Sequence, residues 1–374
     1  MDSCCSSRRR RSVLCVLLVL CCSGSSGTLR VTAQNPEAAP PASFVFGDSL
    51  VDSGNNNYIA SLARANYASN GIDFEGGQAT GRFCNGRHVP DIIGQSLGLP
   101  FAPAYLNPAT KGTAILKGVN YASGGAGILD DTGFTFIEVI TMDKQLTYFE
   151  NTKSQIVNLI GPAATDELIT NALFSVTMGS NDYLNNYFLP ASQRAKNFTP
   201  KQYQDIVINK YRGQLQKLYD LGARRIVVAS VGPLGCIPYQ LTVRLRQNGQ
   251  CDPENSLIIN FNTALKGLVQ ELNSKIGKPH FILVNAYDKV IDLVTNPGSY
   301  GFETGSKACC GIGGQYNGLL PCVPTVPICQ DRTKNVFWDP YHPTDAANQV
   351  LAKQFLDGND AYPFNIRQLL SYQF

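Results

Sequence analysis

The chain contains, at residues 44–57, the sequence FVFGDSLVDSGNNN. Its first three residues are a short apolar run typical of a buried strand, and Gly47 ends that run. Ser49 follows at the carboxyl end of the predicted strand, where open α/β sheets place their ligand crevice. Because a serine hydroxyl is a weak nucleophile at neutral pH, catalysis there requires a base, a group that orients the base, and oxyanion donors. Ser49 is therefore a candidate nucleophile.

A second segment, VFWDPYHPT at residues 336–344, places an acid three positions before a histidine. Asp339 can hold His342 in one tautomer and stabilise its cation after His342 accepts the Ser49 proton. The remaining histidines are predicted to lie at the surface or at a strand edge: His88 and His280. The sequence therefore predicts a catalytic triad of Ser49, Asp339 and His342.

Two segments between these can supply the oxyanion donors. Residues 118–127, GVNYASGGAG, are rich in glycine, which lets backbone N–H groups approach a substrate closely. Residues 174–182, FSVTMGSND, form another apolar run that ends in a glycine and a polar turn. We expect the backbone amide of Gly125 and the side-chain amide of Asn181 to donate to the oxyanion.

The four segments together resemble the GDSL family of lipases and esterases, within the SGNH hydrolase superfamily, and the long form GDSLVDSGNNN resembles its plant branch. The resemblance extends from Phe44 to about Phe364. It implies the SGNH hydrolase fold, with a flavodoxin-like central sheet. It also implies the same roles for Ser49, Gly125, Asn181, Asp339 and His342, and no cofactor or metal. By this resemblance the backbone amide of Ser49 joins Gly125 and Asn181 in the oxyanion hole.

Apolar runs and helical patterns alternate along the chain, which predicts an α/β fold with a mostly parallel sheet in a three-layer α/β/α sandwich. The predicted strands are Phe44–Phe46, Val176–Met178, Ile226–Val231 and Phe281–Asn285, with a further one near Gly118–Asn120. The predicted helices are Val89–Leu97, Glu138–Leu159, Pro200–Leu221 and Asn255–Ile276, and a last one that follows Thr344. We expect residues 42–374 to form one domain.

The amino terminus is typical of a secretory signal peptide. Four arginines at positions 8–11 precede a short apolar segment, and Val31-Thr32-Ala33 offers a small-residue cleavage site. Residues 1–33 are the predicted signal peptide and residues 34–41 a flexible tether. The apolar segment is only about half the roughly 20 residues that a spanning helix needs, so a stable membrane anchor is not expected. We predict a secreted protein of the extracellular space or cell wall.

The net charge and the absence of certain motifs argue against several classes of protein. Cleavage after Ala33 changes the formal net charge from +3 to −1, which gives no electrostatic reason for nucleic-acid binding. The sequence has no Gly-x-Ser-x-Gly nucleophile elbow, no Rossmann fingerprint and no Walker phosphate loop.

Seven of the twelve cysteines follow the predicted signal peptide, and in an oxidising compartment they predict up to three disulfides and one free thiol. Cys236 and Cys251 flank a polar excursion and are the preferred pair. A second group, of undetermined pairing, lies in a loop rich in glycine and proline: Cys309, Cys310, Cys322 and Cys329. A zinc site built from these four is the alternative. Cys84 is then the free thiol.

These observations predict a serine esterase or lipase that cleaves small-molecule or polymeric carboxylic esters, of lipid or cell-wall type, through an acyl-enzyme on Ser49. An acyltransferase, which passes the acyl group to another alcohol, is the nearest alternative. A secreted binding protein that has lost turnover is a more distant one. Asn197-Phe198-Thr199 is a candidate N-glycosylation site. The oligomeric state stays open.

Overall fold

The central feature of the computed structural model, which describes residues 39–374, is a five-stranded sheet. The predicted signal peptide and residues 34–38 of the predicted tether lie outside the described residues. In sheet order, the strands are β1 (Ser43–Gly47), β2 (Leu173–Thr177), β3 (Arg225–Ala229), β4 (Phe281–Val284) and β7 (Ala361–Tyr362). The first four are parallel to one another, and β7 is antiparallel to β4. A separate parallel pair consists of β5 (Thr304–Ala308) and β6 (Asn335–Phe337).

A further extended segment lies beside β1 on its other edge. The Val45 amide donates to the Val119 carbonyl at 3.0 Å, and the Tyr121 amide donates to the Val45 carbonyl at 2.8 Å. If this segment is counted as a strand, it is second in chain order and lies on the outer side of β1. Strand β2 is then third in chain order and lies on the inner side of β1. This is the flavodoxin-like order, and its switch point falls between β1 and β2.

Helices cover both faces of the sheet. In chain order they are α1 (Val89–Ser96), α2 (Met142–Ile160), α3 (Pro162–Asn171), α4 (Ser180–Asp182), α5 (Gln193–Asn197), α6 (Pro200–Asp220), α7 (Pro238–Val243), α8 (Asn255–Ile276), α9 (Ala286–Thr295), α10 (Asp345–Asp357) and α11 (Ile366–Ser371). Helices α2, α6 and α8 pack on one face, whereas α1, α10 and α11 pack on the other. The predicted three-layer α/β/α fold is therefore confirmed.

Local sequence signals set the ends of the helices. Helix α6 begins at Pro200 because Thr199 and Gln202 form a reciprocal capping box. Helix α10 begins after Thr344, whose hydroxyl accepts a hydrogen bond from the Ala347 amide at 3.1 Å. This cap fixes the start of α10 at Asp345, three residues after His342.

Three disulfides crosslink the described residues. Cys236 is bonded to Cys251, which is the pairing that the sequence favoured. Cys309 is bonded to Cys329, and Cys310 to Cys322. Because all four sulfur atoms of the second group are in disulfides, they do not form the zinc site considered above. Cys84 is a buried free thiol.

None of the helices within residues 39–374 combines the length and the apolar character that crossing a bilayer would take.

Candidate active site

Ser49 lies just beyond the carboxyl end of β1, at the switch point of the sheet. The side chain of Gln145 on α2 fixes the strand end, since it accepts from the Gly47 amide at 2.9 Å and donates to the Gly47 carbonyl at 2.8 Å. The Asp48 amide donates to the Thr177 carbonyl of β2 at 3.2 Å. Gly47 has a φ of +157°, and a Cβ there would lie 2.5 Å from the Thr177 carbonyl oxygen. These contacts turn the chain sharply and leave the Ser49 side chain facing a cavity.

The structure brings Ser49, His342 and Asp339 together although His342 is 293 residues from Ser49. His342 Nε2 lies 2.8 Å from Ser49 Oγ. On the other side of the ring, His342 Nδ1 lies 2.9 Å and 2.8 Å from the two carboxylate oxygens of Asp339. The Asp339 and His342 side chains are only 6% and 11% exposed. This is the geometry of a nucleophile, a general base and an orienting acid.

The histidine loop is a closed turn held at its base. The Trp338 amide donates to the His342 carbonyl at 2.8 Å, and the His342 amide donates to Asp339 Oδ1 at 2.8 Å. The Trp338 indole is fully buried and donates from Nε1 to Asn70 Oδ1 at 2.8 Å. The Cys310 amide donates to the Trp338 carbonyl at 2.6 Å, which links the turn to the disulfide-bonded segment. The position of His342 is therefore set by backbone geometry and not by one side-chain contact.

The three expected oxyanion donors line the same cavity as Ser49 Oγ. Within residues 39–374, the amides of Ser49 and Gly125 donate to no protein acceptor. Asn181 Nδ2 uses one hydrogen on the Ala126 carbonyl at 2.9 Å, so its second hydrogen is left for a ligand. Gly125 has a φ of +85°, and a Cβ there would lie 2.5 Å from the Phe136 ring, so glycine is required. The arrangement can stabilise negative charge on a carbonyl oxygen.

Residues that sequence reasoning missed hold the Gly125 loop. The Asp52 carboxylate accepts from the Gly124 amide at 3.0 Å and also from the amides of Gly54 and Asn55, both at 2.7 Å. Asn56 donates from Nδ2 to the Gly124 carbonyl at 2.9 Å. Both residues belong to the segment at 44–57, so their proximity to Ser49 in the sequence was the available signal. They connect the nucleophile segment directly to the oxyanion loop.

Asn181 is held in turn by its own neighbours. Asn185 donates from Nδ2 to Asn181 Oδ1 at 2.6 Å, which points the Asn181 amide hydrogens toward Ala126 and the cavity. The Asp182 carboxylate accepts from the Ile128 and Leu129 amides at 2.8 Å and 2.9 Å. Asp182 therefore fixes α4, which contains Asn181, against the far side of the Gly125 loop.

Three buried carboxyl groups surround the site. Burial raises the pKa of Asp48 to about 7, against the lowering effects of its hydrogen bond from the Leu50 amide and of nearby His342. Burial also raises the pKa of Asp52 and of Asp182 to about 6 each, although each accepts several backbone N–H bonds. Asp48 differs from the other two because its Oδ2 is buried without a hydrogen-bond partner.

The other two histidines lie outside the site. His88 is 3% exposed at the start of α1, so a surface position for it was wrong, whereas His280 directly precedes β4, as expected, and is 4% exposed. Burial lowers the pKa of His88 to about 3, so it is a neutral structural residue. Of six aromatic residues near the predicted catalytic segments, only Phe136 lines the cavity. The six are Tyr58, Tyr121, Phe134, Phe136, Tyr183 and Tyr187. Tyr121 and Tyr183 belong to the core.

The comparisons with known proteins agree with this geometry. The model of the GDSL-like lipase/acylhydrolase family matches residues 44–355, which include all five predicted site residues. The chain belongs to this family. Within the GDSL family, the enzymes are carboxylic ester hydrolases, so the prediction of an ester hydrolase is confirmed at this level.

Similar members of the GDSL family come from Arabidopsis thaliana. The GDSL esterase/lipase At2g23540 is 48% identical over 325 residues, which cover 85% of this chain and 84% of the relative. The GDSL esterase/lipase At4g16230 is 49% identical over 335 residues, which cover 88% of this chain and 90% of the relative.

Solved structures are more distant. The acetylxylan esterase Axe2 from Geobacillus stearothermophilus has a TM-score of 0.39 at 12% identity, with 90% of this chain and 98% of that chain covered. A crystal structure described as a possible lipase from Chitinophaga pinensis has a TM-score of 0.33 at 13% identity, with 83% and 95% covered. At these scores the likeness says nothing about the substrate of this GDSL enzyme.

Proposed function

We propose that this GDSL enzyme is a secreted serine esterase that hydrolyses carboxylic esters of lipid or cell-wall type through an acyl-enzyme on Ser49. The observation that carries the proposal is the 2.8 Å contact between His342 Nε2 and Ser49 Oγ, with Asp339 on the other ring nitrogen. A binding protein would have no use for a histidine that is oriented by an acid and aimed at a serine hydroxyl.

The mechanism begins with proton transfer from Ser49 Oγ to His342 Nε2. As that proton leaves, Ser49 Oγ bonds to the ester carbonyl carbon, and the carbonyl oxygen becomes an oxyanion facing the Ser49 and Gly125 amides and Asn181 Nδ2. The tetrahedral intermediate collapses when the bond to the leaving alkoxide breaks and His342 returns the proton to it. The free alcohol departs and leaves an acyl ester on Ser49.

Deacylation repeats these steps with water. His342 takes a proton from a water molecule, whose oxygen bonds to the acyl carbon while the bond to Ser49 Oγ breaks. The proton then returns to Ser49, and the carboxylic acid is released. Throughout, the Asp339 carboxylate stabilises the imidazolium form and keeps the ring in the productive tautomer.

The test is esterase activity of purified wild-type protein and two serine variants, with a soluble p-nitrophenyl ester as substrate. In Ser49→Ala, kcat should fall on the order of 10⁴-fold or more, since loss of a triad nucleophile has effects of that size. Ser53→Ala is the matched control, because Ser53 is in the same segment and its buried hydroxyl has no hydrogen-bond partner. Equal activities for the two variants would contradict the assignment of Ser49.

Secretion is supported by the disulfides, which persist in oxidising compartments. Protein recovered from the medium of expressing eukaryotic cells should begin at Gln34 when its amino terminus is sequenced. Intact Met1 in the recovered protein would contradict the predicted cleavage. Asn197 is exposed at the end of α5, as glycosylation requires. An endoglycosidase should therefore lower the mass of the secreted protein, but not the mass of the Asn197→Gln variant.

A further inference from the structure

The two faces of the central sheet are packed to different degrees. On the face covered by α2, α6 and α8, most strand residues are large and fully buried: Phe44, Phe46, Phe174, Val176, Ile226 and Phe281, each 0% exposed. Alternate residues point to opposite faces of a sheet, so the intervening residues face α1, α10 and α11. On β4 these residues are also buried, but on β2 and β3 they retain some exposed surface: Leu173 3%, Val227 5% and Ala229 8%. Since protein interiors are normally close-packed, the second face encloses space.

Small residues on the strands create that space. Ser175 lies in the middle of β2, paired with Val45 of β1 and Val227 of β3, and is nevertheless only half-buried. Ser43 and Ala229 lie on the same face of the neighbouring strands. A central strand that is buried on both faces normally carries large apolar residues here. Serine and alanine leave the helices nothing to pack against at these positions.

The space is continuous with the catalytic site. One cavity of about 390 Å³ is lined by Ser49 and His342 at one end and by Leu173 and Ile366 at the other. Both Thr177 and Leu173 of β2 line it, and at a strand rise of about 3.3 Å per residue this length of wall is roughly 13 Å. The cavity therefore leads from the nucleophile along the sheet and under α1 and α10.

The walls of its inner part are mostly apolar. Val227, Leu351, Phe355 and Ile366 line it, and the hydroxyl of Ser175 is buried without a hydrogen-bond partner. A sugar in this space would leave several hydroxyl groups unpaired, each at a large energetic cost. A linear hydrocarbon would lose no hydrogen bonds and would bury its methylenes.

We propose that this inner cavity binds the acyl chain of the substrate, and that the enzyme therefore acts on lipid esters with long acyl chains in preference to acetyl esters. The proposal rests on the acyl-enzyme at Ser49, because that bond places the carbonyl carbon at the open end of the cavity. The acyl chain extends from Ser49 along the sheet past Ser175 toward Leu173. The alcohol part of the ester stays on the solvent side of His342.

The test compares kcat/KM for p-nitrophenyl acetate and p-nitrophenyl laurate in the wild type and in Ser175→Leu. The wild type should prefer the laurate. The leucine fills the cavity beyond the catalytic residues, so the acetate value should stay near that of the wild type. The kcat/KM for the laurate should fall at least about tenfold, because each methylene group that can no longer be buried lowers kcat/KM by a factor of roughly four. Ser175→Ala keeps the space and should keep the laurate activity.

Ser154→Leu is the matched control, since it makes the same change at an exposed position of α2 and should alter neither value. Equal loss of both activities in folded Ser175→Leu, or laurate activity that survives the leucine, would overturn the acyl-chain site. Hydrolysis of neither ester by the wild type would instead contradict the proposed function.

A measurement on the wild type alone covers the case in which Ser175→Leu does not fold. Alkyl fluorophosphonates of increasing chain length should inactivate the enzyme with a rate constant that rises from methyl to dodecyl. A rate constant independent of chain length, with label still on Ser49, would overturn the acyl-chain site and leave the esterase assignment intact.

Discussion

At the scale of single residues, Asn181 is the proposed oxyanion donor whose removal is easiest to interpret. Replacing it with alanine deletes the side-chain donor but leaves the amides of Ser49 and Gly125 in place. We expect Asn181→Ala to lower kcat by about 10² to 10³, the usual effect of losing one such donor. Steady-state kinetics on a soluble ester measure this, and the melting temperature checks the fold. Unchanged turnover in Asn181→Ala would remove Asn181 from the oxyanion hole.

Asp48 makes the stability of the enzyme depend on pH. Its pKa is raised by burial from 3.8 to about 7, so in this interval the folded protein keeps a proton that the unfolded chain has released. The contribution of Asp48 to the free energy of unfolding therefore falls as the pH rises through this interval, by up to about 1.4 kcal/mol per pH unit. Asp48→Asn keeps the acceptor for the Leu50 amide but cannot ionise.

Urea denaturation at a series of pH values measures the effect of Asp48. The free energy of unfolding of Asp48→Asn should decline less between pH 4 and pH 7 than that of the wild type. The raised pKa values of Asp52 and Asp182 act in the same direction in both proteins, so the difference isolates Asp48. Parallel curves for the two proteins would show that Asp48 does not titrate in this range.

At the scale of elements, a buried ion pair fixes the start of α1, which covers the cavity. Asp91 accepts from Arg82 Nε and Nη2 at 2.8 Å each, and the two side chains are 7% and 5% exposed. Arg82→Met leaves the Asp91 carboxylate buried without its partner. We expect this change to lower the free energy of unfolding by about 3–5 kcal/mol.

Chemical denaturation of Arg82→Met and of Lys201→Met measures the difference between a buried and an exposed pair. Lys201 and Asp205 form an ion pair on the surface of α6, with side chains 73% and 51% exposed. Loss of that pair should cost no more than about 0.5 kcal/mol. A similar decrease in the free energy of unfolding for the two variants would mean that the Arg82–Asp91 pair stabilises the protein no more than a surface ion pair does.

The elements themselves were largely predictable from the sequence. The four parallel strands lie where apolar runs occur, because a strand buried on both faces has few polar residues to interrupt the run. Helix α8 runs from Asn255 to Ile276 as predicted. Helix α2 begins at Met142 and not at Glu138, because Thr141 caps it by accepting from the Lys144 amide. Thr141 lies between two apolar residues, so in the sequence it indicates the start of the helix less clearly than the helical periodicity around it.

At the scale of the whole molecule, the disulfide-bonded segment at residues 309–329 supports the turn that carries Asp339 and His342. The Cys309 and Cys310 amides donate to the carbonyls of Phe337 and Trp338, directly before Asp339. Removal of the Cys310–Cys322 bond, which closes a loop of 12 residues, should lower the free energy of unfolding by about 3 kcal/mol. It should also lower kcat, because the segment that supports Trp338 is released.

The paired alanine variant of Cys236 and Cys251 is the comparison for this prediction. That bond has a sequence separation of 15, so its loss should cost about the same free energy of unfolding, near 3 kcal/mol. Neither of its cysteines donates to the backbone of residues 337–342, so kcat of the folded variant should change less. Equal kcat values for the two disulfide variants would show that the loop does not depend on the Cys310–Cys322 bond.

Some features that depend on contacts between distant parts of the chain could not be predicted from the sequence. Ser49 and Asn181 could be predicted to lie together because they follow β1 and β2, which end at the same edge of the central sheet. Asp339 and His342 follow β6 of the separate pair, so only their spacing and the resemblance indicated them. The inner cavity could not be predicted, because Ser43, Ser175 and Ala229 lie in strands whose packing partners are distant in the chain. The pairing of Cys309, Cys310, Cys322 and Cys329 was undetermined for the same reason, since spacing alone does not select a partner.

The central claim is that the chain folds into an enzyme with an activated serine at position 49. Fluorophosphonate labelling of the purified secreted protein, followed by mapping of the modified peptide, tests it most directly. We expect a single label on Ser49 that is lost in His342→Ala and retained in Ser53→Ala. An unlabelled Ser49 in folded wild-type protein, or labelling that survives the loss of His342, would contradict it.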